Sequence, residues 1–357
     1  MLYRDIKKCF KIYFIIGFVF LVLSVFSRVV VAESYNVSHQ EINTIRSFGE
    51  YKFSFLIVFT GAFLLAALSS MLDVLLVKKM MKNRSLGTIL LTGILVQSAM
   101  IVLVIHFMTG FYQKLMYAIS GSPANQLKFT DVLFVLIHLI LAIVLSKFVI
   151  EMERKIGSGN LWKVLIGKFF KPHVEERIFM FIDMKDSTTF AEKIGHLEFS
   201  KLLQNCFMEF AVVHQFHAEI YQYVGDEVVI SWSPEKGFKN NNFLKAFFAF
   251  SKIMQAKSDY YEKQFGIRPY FKAGANIGPV VITEVGDIKR EIVYHGDTLN
   301  TASRIQDMCN RLGAQLLISE KLHDQMTNQD NYEINNVGSI CLKGKEHEVD
   351  LYEIKLS

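Results

Sequence analysis

Tyr294-His295-Gly296-Asp297-Thr298-Leu299-Asn300-Thr301-Ala302-Ser303-Arg304 reads as a glycine turn that opens a helix. Asn300 and Arg304 stand four residues apart, so their side chains share one face of that helix. A neutral amide and a planar cation aimed at one point suit a polyphosphate whose charge grows during reaction. A structural arginine behind an Asp297 or Thr298 cap is the plainer alternative. Two acidic strand motifs lie upstream, so the run reads as half of a nucleotide site.

Around this run, strands and helices alternate from about Glu176. Residues 177–182 form a short apolar run that fits a buried strand, and 188–194 and 199–215 have helical spacing. Residues 219–224 and 227–232 flank Gly225-Asp226 as a hairpin. A long helix is predicted over 241–264, then two strands, 271–277 and 280–285, either side of Gly278-Pro279. Strands over 315–318, 332–342 and 349–354 follow the helix of the opening run. This order describes an α+β fold of the ferredoxin-like type, a sheet with helices packed on it. There are no internal repeats and no low-complexity tracts.

Three further elements carry chemistry. In Phe179-Met180-Phe181-Ile182-Asp183-Met184-Lys185-Asp186-Ser187-Thr188 an apolar strand ends in a carboxylate and a Ser/Thr pair opens a helix. Asp183 would hold a hard cation, while Ser187, Thr188 and the helix N-terminus receive phosphate; an ordinary helix cap is the alternative. Asp226 sits at the hairpin tip in Tyr221-Gln222-Tyr223-Val224-Gly225-Asp226-Glu227. Alone it is turn chemistry; beside Asp183 it makes a two-carboxylate magnesium site. Leu342-Lys343-Gly344-Lys345 offers ammonium groups as point charges for phosphate, or a solvated turn.

The first part of the 357-residue chain has a different character. Uncharged runs at 13–27, 53–72, 86–112 and 132–146 predict an all-α domain of four transmembrane helices over residues 1–150. Basic residues gather at the N-terminus (Arg4, Lys7, Lys8, Lys11) and in the second loop (Lys78, Lys79, Lys82, Arg84). By the positive-inside rule both termini are cytoplasmic, in a multi-pass protein of the inner cell membrane. The basic start and Val30-Val31-Ala32 also fit a cleaved signal peptide, which would leave the remaining helices ending on the same side. Asp73 and Arg28 are expected to snorkel from helix ends. His106 and His138 fall at similar depth, as a cofactor or metal pair or as ordinary hydrogen-bonded histidines.

Residues 151–175, with Trp162 among apolar and basic neighbours, read as a juxtamembrane segment, either a coupling element or a passive linker. Residues 176–357 form the output domain. The net charge of +5 follows partly from membrane topology, and no basic and aromatic stripe points to nucleic acid. Cys9, Cys206, Cys309 and Cys341 have no close pair, a spacing that supports neither a zinc site nor a disulfide framework and suits a reducing cytosol. The last three are expected as buried thiols.

These four elements, in this order and spacing, resemble the catalytic domain of class III adenylate/guanylate cyclases. The resemblance covers about Arg177 to Ile354, and Gly-Asp-Thr-Leu-Asn-Thr-Ala-Ser-Arg is its closest stretch. It implies a homodimer with sites at the interface, and two Mg2+ or Mn2+ ions per site on Asp183 and Asp226. It further implies Asn300 and Arg304 from the partner subunit at the ribose and transition state, and Lys343 on the terminal phosphates. The implied reaction is in-line attack of the ribose 3′-hydroxyl of a nucleoside triphosphate on its α-phosphate, releasing pyrophosphate.

At the base-selecting pair the sequence departs from the family. Adenylate-forming members favour Lys with Asp or Thr, and guanylate-forming members Glu with Cys; here the positions hold Gln222 and Val293. Gln222 can read an adenine or a guanine edge, while Val293 reads nothing polar. ATP is the first expectation, GTP or another nucleotide the second. Val224-Gly225-Asp226-Glu227-Val228 also loosely resembles the Gly-Gly-Asp-Glu-Phe turn of diguanylate cyclases, which lack the Asn/Arg helix. A degenerate nucleotide-binding or dimerising module is the non-enzymatic alternative.

Overall fold

The apolar first part of the sequence forms long helices: α1 (Leu2–Ser34), α2 (Phe48–Met80), α3 (Leu86–Ser120) and α4 (Phe129–Ile156). The computed structural model describes residues 2–34, 48–80, 86–120, 129–157, 160–327, 330–345 and 347–357. The chain divides into two compact units, Met1–Lys155 and Ile156–Ser357.

The helical unit packs small residues inward. Ala62, Ala66, Ser69, Ser70, Ala142 and Ser146 are buried, and small side chains let helix backbones approach closely. Large apolar side chains point outward; Leu95, Leu103 and Phe107 are each more than 60% exposed. Four membrane spans were expected. Among the described residues one stretch, Val135–Ile156, is long and apolar enough to cross a membrane, and Phe59–Leu75 and Leu91–Val104 are shorter apolar helices. Asp73 does not snorkel. It is 5% exposed, because α2 runs past the uncharged stretch to Met80 and leaves Asp73 inside the bundle. His138 lies edge-on to Phe20 with ring centroids 6.5 Å apart, while His106 is exposed. The Arg28 side chain lies outside the described residues.

In the second unit, α5 (Asn160–Leu165) comes first, with Trp162 and Leu165 largely exposed. Phe169, a few residues on, is buried, and its carbonyl accepts the backbone N–H of Glu284 at 2.8 Å. β1 (His173–Met184) is covered on both faces. Ile178, Met180, Ile182 and Met184 enter a large core with Phe210, Trp232, Phe243 and Phe250. Phe179 packs in a second cluster on the other face, with Val229, Val280 and Ala302. Period-two alternation sorts these side chains to opposite faces.

The sheet runs β2-β3-β1-β4-β6-β8-β7, with β5 also on β4. Its other strands are β2 (Glu219–Val224), β3 (Glu227–Trp232), β4 (Phe271–Val285), β5 (Glu291–His295), β6 (Leu316–Ser319), β7 (Tyr332–Ile340) and β8 (Val349–Leu356). β4 and β6 pair in parallel, the remaining neighbours antiparallel. After β1 come α6 (Ser187–Ile194) and α7 (His196–Glu209). The short α8 (Pro234–Phe238) precedes α9 (Asn242–Ala256) and α10 (Ser258–Phe265). α7 and α9 supply the large core, and α11 (Asp297–Leu312) lies over β4, β1 and β6 on the opposite face. The short α12 (Glu320–His323) follows β6.

Several predicted boundaries differ: the helix expected over 199–215 ends at Glu209 and gives way to a 3-10 helix, Phe210–Phe216, the strand expected over 332–342 ends at Ile340, and β5 was not expected. The helix expected over 241–264 breaks at Lys257 into α9 and α10. The strands expected either side of Gly278-Pro279 are one strand, β4. Proline costs a ladder donor, but Pro279 is exposed and its carbonyl accepts the Thr298 hydroxyl at 2.8 Å, so the strand continues. Cys206 and Cys309 are buried as expected, whereas Cys341 lies just past β7 and is exposed.

Gly274 fixes how α11 sits on the sheet. A Cβ there would lie 2.1 Å from the backbone nitrogen of Gln306 and 2.7 Å from the carbonyl oxygen of Ala302. Gly274→Ala should therefore lower the unfolding free energy by about 1–3 kcal/mol, read by urea titration. An unchanged midpoint would mean that α11 does not bear on β4 at this point.

Candidate active site

Strand register brings one row of ionisable side chains together. Asp183, next to last in β1, lies opposite Glu227 at the start of β3 and opposite Lys272 near the start of β4. Directly paired residues project from the same face of a sheet. Asp226 occupies the tight turn between β2 and β3, where Gly225 takes φ +60°. Glycine adopts that left-handed conformation without a Cβ penalty.

Asp183 is the hub. Its protonated carboxyl donates to Asp226, and its Oδ2 lies 3.2 Å from the Lys272 ammonium and accepts the Gln306 amide of α11 at 3.2 Å. Burial, then the bond to Asp226 and its charge, push the Asp183 carboxyl up to about 6, with Lys272 opposing. Burial, then the charges of Asp183 and Asp226, push Glu227 up to about 7. Carboxyls crowded at strand ends hold protons they would otherwise release, which is the electrostatic signature of a site short of positive charge. Hard carboxylate oxygens of this kind fit magnesium or manganese. Among the described residues no three His, Cys, Asp or Glu side chains converge on one point.

The opening run lies on α11. Thr298 is tied to Pro279, and Asn276 donates its amide to the Thr298 carbonyl at 3.2 Å, so the helix start is fixed to β4. Ala302, Ile305, Gln306 and Cys309 face the sheet. Asn300 is exposed and Arg304 half-buried. The Arg304 guanidinium lies against the turn between β7 and β8, since a Cβ on Gly344 would sit 3.5 Å from its Nη2. In that turn Lys345 pairs with Asp297 and holds its carboxyl below the usual carboxylate range, leaving Lys343 exposed.

Thus the structure joins Asp183 to Asp226, and Arg304 to the Lys343–Lys345 turn. No hydrogen bond or ion pair among the described residues joins the first pair to Asn300, Arg304 or Lys343. Ser187 and Thr188 begin α6, three residues after Met184, behind Asp186 in a left-handed conformation at φ 58°. Gln222 is exposed on β2, just past a register shift, and Val293 is half-buried on β5 opposite Thr283. Their sequence neighbours meet: Tyr221 and Tyr294 lie edge to face at 5.0 Å, with Phe179 5.2 Å from Tyr294.

Sequence reasoning missed Glu227, Lys272 and Gln306. Lys272 carried a usable signal, being the one basic residue in the apolar run 271–283. Gln306 carried none, because a glutamine on a helix is ordinary. Arg177 was also missed: it is buried, donates to Glu219 at 2.7 Å and to Ser231 at 2.9 Å, and lies 5.2 Å over the Tyr294 ring.

The adenylate and guanylate cyclase catalytic domain family matches residues 171–355. Adenylate cyclase 2 of Rhizobium meliloti (strain 1021) is 33% identical over 176 residues, 49% of this chain and 48% of that protein. The terminal-differentiation-specific adenylate cyclase of Dictyostelium discoideum is 26% identical over 222 residues, 59% of this chain and 10% of that one. The chain thus spans about half or less of the length of these relatives. A bacterial light-regulated adenylyl cyclase shares the fold, with a TM-score of 0.53 at 18% identity over 64% of this chain and 66% of its own. With just over half of its residues matched, this chain belongs to the adenylate and guanylate cyclase family through its catalytic domain.

Proposed function

We propose that the chain is a membrane-bound nucleotidyl cyclase that works as a symmetric homodimer and converts a nucleoside triphosphate, ATP foremost, to a 3′,5′-cyclic nucleotide and pyrophosphate. The observation that carries this reading is the split just described. One α11 turns Gln306 toward Asp183 on its inner side and Asn300 outward, so a second copy is needed to bring an amide and a guanidinium to the carboxylates.

Asp183 and Asp226 would hold the two divalent ions, and Lys272, 3.2 Å from Asp183, would offer its ammonium to a phosphate. Such ions supply Lewis-acid charge that acidifies the ribose hydroxyl and steadies the phosphates. Asn300 of one protomer orients the ribose. Arg304 donates to the α-phosphate oxygens as charge builds on them, an effect worth a few kcal/mol in comparable sites, about 3. Lys343, the N–H groups at the start of α6 and the Ser187 and Thr188 hydroxyls receive the outer phosphates. Gln222 reads the base beside Val293. The adenylate cyclase name of the Rhizobium relative favours ATP; the apolar Val293 leaves GTP as the second reading.

The helical unit supports membrane anchoring by being inside out. Many large apolar side chains are exposed on it, while Tyr13, Asp73, Gln97 and Lys147 are buried beside its apolar clusters. Four spans with both termini cytoplasmic place the catalytic domain beside its nucleotide.

The carboxyl cluster sets a pH dependence. Asp183 and Glu227 keep protons in the folded state that an unfolded chain releases near about pH 4. The native state therefore binds more protons between about pH 4 and 7, and metal-free stability falls as pH rises through that window. Melting curves of the detergent-solubilised protein should show this decline, and millimolar Mn2+ should reverse it above about pH 7 while helping less below about pH 6. Asp183→Asn should flatten the slope and abolish the Mn2+ increment. An Mn2+ increment that survives in this variant counts against Asp183 as a ligand.

Subunit sharing has its own test. Asp183→Ala and Asn300→Ala homodimers should each lose at least about a hundredfold in turnover. Mixed in equal amounts and allowed to exchange subunits, they should recover about a quarter of wild-type activity, because half the dimers are mixed and each has one intact site. Mixtures as inactive as their parents would argue for a site within one chain. Product assays with ATP and GTP decide the base.

A further inference from the structure

Asp73 is the centre of a buried polar cluster to which every described helix of the first unit contributes. From α2 its carboxylate accepts the Tyr13 hydroxyl of α1 and, at 3.0 Å, the Gln97 amide of α3, and it forms an ion pair with Lys147 of α4. The Gln97 amide also reaches the Tyr13 hydroxyl at 3.1 Å. The Asp73 and Lys147 side chains are 8% and 6% exposed. Packing is shaped around the ammonium: a Cβ on Gly93, one turn before Gln97, would lie 2.4 Å from Lys147 Nζ. A cleft lined by Tyr13, Ser69, Ser146, Leu21, Ile101 and Leu139, among others, adjoins the cluster.

Such a pair is a poor way to gain stability. The cost of stripping water from two charges offsets most of their attraction, and apolar replacements of similar size are often as stable. What a buried pair does well is penalise any arrangement that separates it, since each partner is then a lone charge in an apolar interior. That gives the bundle two discrete states, closed on the pair or open, rather than a continuum. Lys147 lies nine residues before Ile156, where α4 ends and the second unit begins. A continuous helix carries a shift or rotation at Lys147 along its axis to that end.

We propose that the Asp73–Lys147 pair, braced by Tyr13 and Gln97, is a four-helix clamp whose closure sets the turnover of the cyclase domain. The regulatory half of this inference rests on the cyclase reading above. The clamp acts through α4, so it changes how often the catalytic domains engage and not how tightly they hold nucleotide.

The test uses the full chain in lipid vesicles. Asp73→Asn and Lys147→Met each leave one charge unpaired, the double variant leaves none, and Asp73→Lys with Lys147→Asp exchanges them. The first readout is kcat and KM for the nucleotide. The second is the rate of disulfide formation between Val74→Cys on α2 and Ile150→Cys on α4 in a Cys9→Ser background, since all three positions share one buried cluster. Each single variant should change kcat roughly three- to tenfold at constant KM and alter the cross-linking rate. The double and exchanged variants should return both to within about twofold of wild type. Singles that match wild type in both readouts overturn the clamp, as does a double variant as far from wild type as the singles. A wild type that makes no cyclic nucleotide overturns the catalytic reading instead, and the cross-linking rates still decide whether the pair holds α2 and α4 together.

Discussion

Holding Asp183, Asp226 and Glu227 together at the ends of β1 and β3 is the constraint on which the catalytic domain depends. Three carboxyls crowded in half-buried positions repel one another, and burial first, then that repulsion, raises the proton affinity of Asp183 and Glu227. The sheet does not relieve it by spreading the residues apart, because the ladder fixes Asp183 opposite Glu227. It supplies instead one cation, Lys272, and one neutral donor, Gln306, both at 3.2 Å from Asp183. Lys272 is then the one cation acting on Asp183, Asp226 and Glu227, with Asp307 adding further negative charge, so the cluster keeps an excess of negative charge.

α11 keeps Asn300 and Arg304 away from those carboxylates within one chain. Its inner side is committed: Ala302 and Ile305 are fully buried, Gln306 bonds Asp183, and Gly274 lets the helix backbone come close to β4. A helix has only one face to give the sheet, so Asn300 and Arg304, on the remaining arc, cannot also reach the carboxylates they lie beside in sequence logic. The turn between β7 and β8 then closes over Arg304, with Lys345 bound to Asp297, and makes a second separate half.

How far the sequence reveals this depends on whether a feature is local. The glycine turn and helix of the opening run, the strand ending at Asp183 and the hairpin at Asp226 all appear where the residues predict them, because caps, turns and period-two alternation act over a few positions. Lys272 and Glu227 escaped notice because their meeting with Asp183 depends on ladder register between strands far apart in the chain, which no local pattern encodes. Pro279 misled for a related reason, since its lost donor matters only if a partner strand requires it there. Asp73 was misplaced at a helix end because the uncharged run stops at Leu72, whereas α2 continues to Met80 and Lys147 supplies a partner from another helix. Cys341 was expected buried from its type alone, and type says nothing about lying at the end of β7 beside an exposed turn.

The two units solve the problem of buried charge in opposite ways, and the difference follows from what each can recruit. The carboxyls of the catalytic domain are half-buried at strand ends, so an unbalanced acidic cluster is tolerable there: Asp183 and Glu227 hold protons. In the helical unit Asp73 is 5% exposed. Its balance must be built in, and Lys147, Tyr13 and Gln97 supply it from three other helices. An imbalance that can be filled from solution makes a binding site, whereas a balance that can be broken only by moving helices makes a mechanical one. Separating Asp73 from Lys147 therefore cannot be a small adjustment. It requires the helices to rearrange together, and α4 is the one whose end opens into the cyclase domain.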